Sequence, residues 1–293
     1  MREKVRTIKM RKVAIVTDST AYLPKELRDQ LGIHMVPLNV VFGQDSFQEE
    51  LDIATEEFYS KMEQIKELPT TSQPAIGQFV ELFEELAKEG YEQVVSIHLS
   101  SKISGTYQSA VAAGDMVESI EVIGFDSAIS CSPQARVVLE AVRLADEGKN
   151  AEEIIEHLNK VRETIRAYFV VDDLNHLHRG GRLNTAQLFV GNLLKIKPIL
   201  HFVDGKIVPF EKVRTEKKAF AKIKTMLEQE VSEGGQFQVT IIHANCEEEA
   251  TKLLEDFKAS FPTVDFELSY FGPVIGTHLG QGSIGVTWSQ TVN

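Results

Sequence analysis

A chain of 293 residues, 43% hydrophobic and 25% charged, has the composition of a globular protein and the length of one large or two ordinary domains. Its net charge of -12 sets long-range electrostatics against nucleic acid and anionic lipid surfaces as main partners. The two cysteines, Cys131 and Cys246, lie far apart and outside any C-x-x-C pattern, which argues against a disulfide framework or a zinc site and fits a reducing cytoplasm.

The start of the chain is basic, with Arg2, Lys4, Arg6, Lys9, Arg11 and Lys12, but the apolar run Val13–Val16 is too short for the h-region of a signal peptide. No stretch approaches the roughly 18 apolar residues of a membrane span. The expectation is a cytoplasmic protein with a loose basic leader over residues 1–11, for which Met10 is an equally good start.

Val13–Thr17 reads as a strand buried on both faces of a parallel sheet. It ends in the polar turn Asp18-Ser19-Thr20, and Pro24 sits where the first turn of a helix tolerates it. Ile33–Phe42 reads as extended, with Pro37 marking an edge or an irregularity. Thr55, followed by Glu56, Glu57 and Phe58, opens a helix running to about Lys66. Pro69–Pro74 is a second hydroxyl-rich turn, ahead of an amphipathic helix bearing Phe79, Leu82, Phe83 and Leu86. Val94–Leu99 is again a buried strand, and it breaks into Ser100, Ser101, Ser104, Gly105 and Thr106 at the start of a helix. A strand at Glu121–Phe125 and the turn Asp126-Ser127 precede a helix that begins near Pro133 and carries Val137, Val138, Ala141 and Leu144. This alternation predicts an α/β domain over residues 12–164, doubly wound around a mostly parallel sheet, with ligands expected at the carboxyl ends of the strands.

The pattern then changes. After a helix at Ala151–Thr164 come a strand at Ala167–Val171, the polar stretch Asn175–Arg182 and a helix near Thr185–Leu194. Residues 197–214 read as a hairpin, because Asp204-Gly205 between two alternating runs is a strong turn signal. Further strands are expected near Gln238–His243, Asp265–Phe271 and Ile284–Trp288. A second, mixed-sheet α/β domain is therefore expected over residues 165–293, with a glycine-rich segment around His278.

The turn at Ser104 combines hydroxyls with helix-start N–H groups, which suits a small anion, although serine and threonine are also ordinary helix caps. His176-x-His178 lacks a third ligand and reads as two polar residues at a helix end, so no metal is expected. Gly180-Gly181-Arg182 reads either as flexible backbone beside a cation or as a helix terminator with a surface arginine. G-x-x-x-x-G-K-[ST] does not occur. Ser104 as nucleophile and His278 as base would make a serine hydrolase of lipid or small carboxylic esters, but Ser104 is not in G-x-S-x-G and no acid partner is evident.

Thr17-Asp-Ser-Thr20, Thr71-Ser-Gln-Pro74, Leu99-Ser-Ser-Lys-Ile-Ser-Gly-Thr106, Phe125-Asp-Ser127, Gly180-Gly-Arg182, Lys197-Pro-Ile199, Val213-Arg-Thr215 and His278-Leu-Gly-Gln-Gly282 follow one another along the chain. Together they resemble the DegV family, the fatty-acid-binding subunits of bacterial fatty acid kinase. The resemblance implies a long-chain fatty acid such as palmitate or oleate enclosed between the two domains. Thr71 and Ser104, with Gly105 in the same turn, would hold the carboxylate, and His278 would complete the network. Asp18, Ser19, Thr20 and Ser127 would lie near the head group. It also implies a carrier with no catalytic residue, cofactor or metal of its own. A separate kinase subunit, bringing ATP and Mg²⁺ and contacting Arg214, would phosphorylate the presented carboxylate for lipid metabolism. One departure is Lys102, where the family loop commonly has glycine; a positive φ there would cost on the order of 1 kcal/mol.

Overall fold

The computed structural model describes residues 11–65, 67–183 and 197–292, so residues 1–10 of the basic leader and the helix expected near 185–194 lie outside the described residues. Four parallel strands form the first sheet: β1 (Val13–Asp18), β2 (Ile33–Val36), β6 (Gln93–His98) and β7 (Glu121–Asp126), in the order β2-β1-β6-β7. All six residues of β1 are buried, as the unbroken apolar run requires of a strand covered on both faces. On one face, α5 (Cys131–Asp146) and α6 (Ala151–Thr164) bury Val137, Val138, Ile154 and Leu158 against Ile15 and Ile97. On the other, α3 (Ile76–Glu89) and α4 (Thr106–Gly114) bury Phe79, Phe83 and Ala110 against Val16 and Val94. This is the doubly wound parallel arrangement that the alternating pattern predicts.

Pro37 divides the predicted extended stretch between two sheets. β2 stays in the parallel sheet, whereas β3 (Asn39–Phe42) leaves it and pairs antiparallel with β4 (Asp45–Gln48) and β5 (Thr70–Ser72). The hydroxyl turn expected at 69–74 therefore contains an edge strand, in which Thr71 lies opposite Val40. Its β form comes from pairing with a segment some thirty residues away, which local composition does not record.

The second large sheet is mixed and six-stranded. β8 (Arg166–Val170), β9 (Lys197–Val203), β10 (Lys206–Val213), β11 (Phe237–His243), β12 (Asp265–Tyr270) and β13 (Ile284–Gln290) lie in the order β10-β9-β8-β13-β11-β12. Four of its five pairings are antiparallel and β11–β12 is parallel. Asp204 and Gly205 turn the predicted hairpin with φ of 49° and 76°, the paired positive values that a tight two-residue loop needs. The short helix α7 (Leu174–Arg179) follows β8, and α8 (Glu216–Ser232) and α9 (Glu247–Ser260) bury Ile223, Leu227, Leu254 and Phe257 on the outer face. The glycine-rich segment is not a loop at its start: Pro273–Leu279 forms the helix α10, opened by the proline. Among the described residues no helix is long and apolar enough to cross a membrane.

The carboxyl ends of β1 and β6 are clamped by Asp18, which is fully buried. It accepts hydrogen bonds from Thr20 N (3.0 Å), Thr20 Oγ1 (2.6 Å), Leu99 N (3.0 Å) and His98 Nδ1 (3.0 Å). Burial alone would raise this carboxyl, but the His98, Thr20 and Leu99 bonds outweigh it and leave the pKa below its ordinary value. Asp18→Ala strands a buried histidine and three backbone or hydroxyl donors, so urea denaturation should show a loss of about 3–5 kcal/mol.

Candidate ligand site between the sheets

A cavity lies between the parallel sheet, the small sheet and the inner face of the mixed sheet, with about 720 Å³ of space between atoms, its mouth included. Its walls are apolar and come from every layer: Leu38 and Leu99 from one side, Phe169, Phe202, Phe271 and Val274 from the other. Cys131, at the start of α5 with φ of 62°, also faces it, and burial pushes its thiol pKa up to about 12. Polar groups gather at one end, where Thr71, Ser104, Arg182 and His278 line the same space.

β5 places Thr71 and α10 places His278, so that Thr71 Oγ1 lies 2.8 Å from His278 Nε2. His278 is only 9% exposed, and burial, with Arg182 and His176 close by, drives its pKa down to about 3. The imidazole is therefore neutral near pH 7. With its proton on Nε2 it donates to Thr71, whose own hydroxyl hydrogen is then free to turn toward an anion. His278 Nδ1 has no partner among the described residues. Gly180 allows this placement, because a Cβ there would overlap Nδ1.

Ser104 Oγ sits 2.8 Å from Thr106 Oγ1 and accepts from Thr106 N at 3.3 Å, so it caps α4 while lining the cavity. Arg182 spans the gap between the sheets: Nε donates to Ile103 O at 3.0 Å, and Nη1 donates to Gly180 O. Its half-buried guanidinium is desolvated, which lowers its pKa while leaving it far above neutrality.

The remaining sequence candidates lie apart. Gly105 permits a close approach by the Gln73 amide and does not line the cavity. Ser127 is buried and bonds Ile129 O at 3.2 Å, facing a separate depression beside Arg162 and Tyr168. Asp18 and Thr20 serve the clamp, with Thr20 Oγ1 also 3.0 Å from Gln134 Oε1. Arg214 is exposed, one residue beyond β10. Lys102 is exposed and has no positive φ, so the anticipated backbone penalty does not arise. Among the described residues no cluster of His, Cys, Asp and Glu fits a metal ion, and His176 instead approaches Thr277 O at 3.4 Å.

The geometry required of a hydrolase is missing at Ser104 and His278. The serine bonds Thr106, not the histidine, and among the described residues no carboxylate orients Nδ1. A triad-like chain does occur elsewhere, with Ser96 Oγ 2.7 Å from His98 Nε2 and His98 Nδ1 3.0 Å from Asp18. All three residues are fully buried and outside the cavity, which makes them part of the clamp.

Of the two readings that the sequence left for Gly180-Gly181-Arg182, the structure has the cation beside flexible backbone, since Arg182 lines the cavity. One contributor escaped sequence reasoning: Glu49 gave no signal, since it sits in an acidic pair with Glu50. It is fully buried, 2.5 Å from Ser19 Oγ, and it accepts from Val274 N at 2.7 Å and Tyr22 Oη at 3.1 Å. It thus pins α10, and with it His278, to the turn after β1. Burial pushes its carboxyl up to about 8, against the opposing pull of these three bonds.

Gly180→Ala should displace His278 from Thr71. Histidine ring NMR should record this as a pKa rising from about 3 toward the ordinary value of about 6.5. Glu49 gives a pH test of opposite sense. The unfolded carboxyl ionises near 4.5 and the folded one near 8, so its contribution is greatest below 4.5. It declines by about 1.4 kcal/mol per pH unit across that window. Glu49→Gln lacks this slope, so its stability relative to the native chain should improve from pH 5 to pH 8 in urea titrations; parallel profiles would mean that Glu49 is ionised in the fold.

The sequence profile of the DegV family, described as uncharacterised proteins, matches residues 12–291. A DegV domain-containing protein of Halalkalibacterium halodurans is 60% identical over 279 residues, covering 95% of this chain and 99% of the relative. The Bacillus subtilis protein DegV is 53% identical over 277 residues, 94% of this chain and 98% of that one. The crystal structure of B. subtilis DegV, described as a fatty acid binding protein, matches with a TM-score of 0.90 over 95% of this chain and 99% of that chain. A fatty acid binding DegV family protein from Streptococcus agalactiae matches with a TM-score of 0.89 at 33% identity, over 97% and 100% of the two chains. Matched along nearly its whole length in sequence and in fold, the chain belongs to the DegV family.

Proposed function

We propose that the chain binds one long-chain fatty acid and presents its carboxylate to a separate kinase. The observation that carries this reading is a mostly apolar cavity in which Thr71, Ser104, Arg182 and His278 gather at one end. The solved relatives described as fatty acid binding proteins support it, at 53% and 33% identity. The tail contributes most of the affinity, about 0.8 kcal/mol per buried CH₂ before the costs of association. The carboxylate needs compensation for leaving water, and hydroxyl donors with a neighbouring guanidinium supply it.

In this reading the chain is a carrier and catalyses nothing itself. The kinase supplies ATP and Mg²⁺; a carboxylate oxygen attacks the terminal phosphorus, ADP leaves, and an acyl phosphate forms. Arg214, exposed beyond the hairpin, is the contact for that partner. The setting is the cytoplasm, where the acyl phosphate enters lipid metabolism.

Mass spectrometry of material released by denaturing the purified protein should find palmitate, oleate or a similar acid. A ligand-free chain that also fails to take up either acid would overturn the reading, and ester turnover lost in Ser104→Ala would replace it with a hydrolase. Ser104→Ala and Thr71→Ala should each weaken fatty-acid binding about tenfold, the effect of one charge-assisted hydrogen bond. Arg214→Ala should leave binding intact and slow phosphorylation by the partner kinase.

A further inference from the structure

Away from its polar end, the apolar cavity abuts a depression of different character, and Ile129, Ala167, Tyr168 and Phe202 line both. β8 sets Ala167 and Tyr168 far from the polar groups. The strand runs from Arg166 to Val170 and leads into α7, and Gly180, just past α7, is the residue that lies against His278. A depression on the polar side shares Thr71, Arg182 and His278 with the cavity and has no lining residue in common with the one beyond Ala167. The partition is thin, since Ala167 offers only a methyl group, and water reaches it, since Ala167 and Phe202 are both half-buried. Behind it stand Arg162, Arg166 and His201, with the exposed carboxylates Glu163 and Asp204. Arg162 is half-buried and donates from Nη1 to Asp126 O and from Nη2 to Asn159 Oδ1, each at 2.8 Å, with its guanidinium 5.1 Å from the Phe125 ring centre. None of these partners is charged, and Nε makes no hydrogen bond among the described residues. Arg166 differs, because Nε is held by Glu230 Oε1 at 3.0 Å. His201 stacks on Tyr168, ring centres 5.9 Å apart, and its ring nitrogens make no hydrogen bond among the described residues. A plain alkyl tail gives these donors nothing.

We propose that this depression is a subsite for a second carboxylate at the far end of the ligand chain, so that the ligand class includes long-chain α,ω-dicarboxylic acids. The proposal rests on the reading of the apolar cavity as a fatty-acid site. One carboxylate lies at Thr71 and His278, the methylenes fill the apolar space as an ordinary tail does, and the chain passes Ala167 to bring the other carboxylate to Arg162. A carboxylate that stopped inside the apolar walls would lose its hydration uncompensated. Beyond the partition it meets a guanidinium without a counter-charge, which supplies charge-assisted hydrogen bonds. His201, whose pKa burial lowers, stays neutral near pH 7 and adds one ring N–H donor. Glu163 and Asp204 are exposed, so water and salt screen their repulsion.

The test uses the full chain stripped of lipid and isothermal titration with palmitate, hexadecanedioate and octadecanedioate, the two diacids allowing for the reach to Arg162. The native chain should bind the better diacid within about tenfold of palmitate. Arg162→Gln should bind that diacid about tenfold more weakly than the native chain and palmitate within about twofold of it. Because Arg162 also holds Asp126 O, His201→Phe serves as a second variant. It keeps a ring against Tyr168, removes only the ring nitrogens, and should weaken the diacid about fivefold with palmitate unchanged. Native-like diacid affinity in both variants, with palmitate bound by all three proteins, overturns the subsite alone. So does a native chain that binds palmitate and neither diacid. Failure of the native chain to bind palmitate overturns the fatty-acid reading, and the subsite with it.

Discussion

The hydrogen bond between Thr71 and His278 joins residues 207 positions apart, one on an edge strand and one on a short helix, and the ligand site depends on both being held still. Neither element is stable alone. β5 has three residues and α10 has seven, so their positions are imposed by neighbours. α10 is fixed along its buried length: Val274 N bonds Glu49, Ile275 N bonds Tyr22 Oη at 3.3 Å, and Gly276 lies against Tyr59 with no room for a Cβ. Tyr59 in turn donates to Phe271 O at 2.8 Å. These contacts tie the helix to segments from the first sixty residues. A histidine placed this way is kept out of water and so kept neutral, which lets it orient a hydroxyl without adding a buried charge.

The hairpin turn serves the other half of the site. Ser100 Oγ donates to Gly205 O at 2.7 Å, and Gly205 fits so closely that a Cβ would meet that hydroxyl and the stem of Lys102. The loop that carries Ser104 is therefore braced from across the cavity by the mixed sheet. Ser104 and His278 each sit on one sheet's elements and are held in place by the other's.

Much of this was legible in the sequence wherever the signal was local. The unbroken run Val13–Thr17 and the Asp204-Gly205 turn are decided by a few adjacent residues, and the strands fall close to where those residues place them. What was not legible is non-local. The destination of the chain after Pro37, the pairing of Thr71 with Val40 and the burial of Glu49 each depend on segments distant in sequence. The hydroxyl pattern also overcounted the site. Ser127, Asp18 and Thr20 look like Ser104 in a sequence, yet they satisfy buried backbone and side-chain groups, which is the commoner use of a hydroxyl or carboxylate at a strand end.

Cys131 gives the cavity a property of a different kind. The thiolate is the reactive form of cysteine, and a thiol held near a pKa of about 12 is almost wholly protonated at neutral pH. The wall that faces the apolar space is thus chemically quiet toward electrophiles and oxidants while the cavity stays closed. An alkylating reagent reaches this sulfur only during an opening, so the rate of Cys131 labelling is a built-in clock for how often the protein breathes.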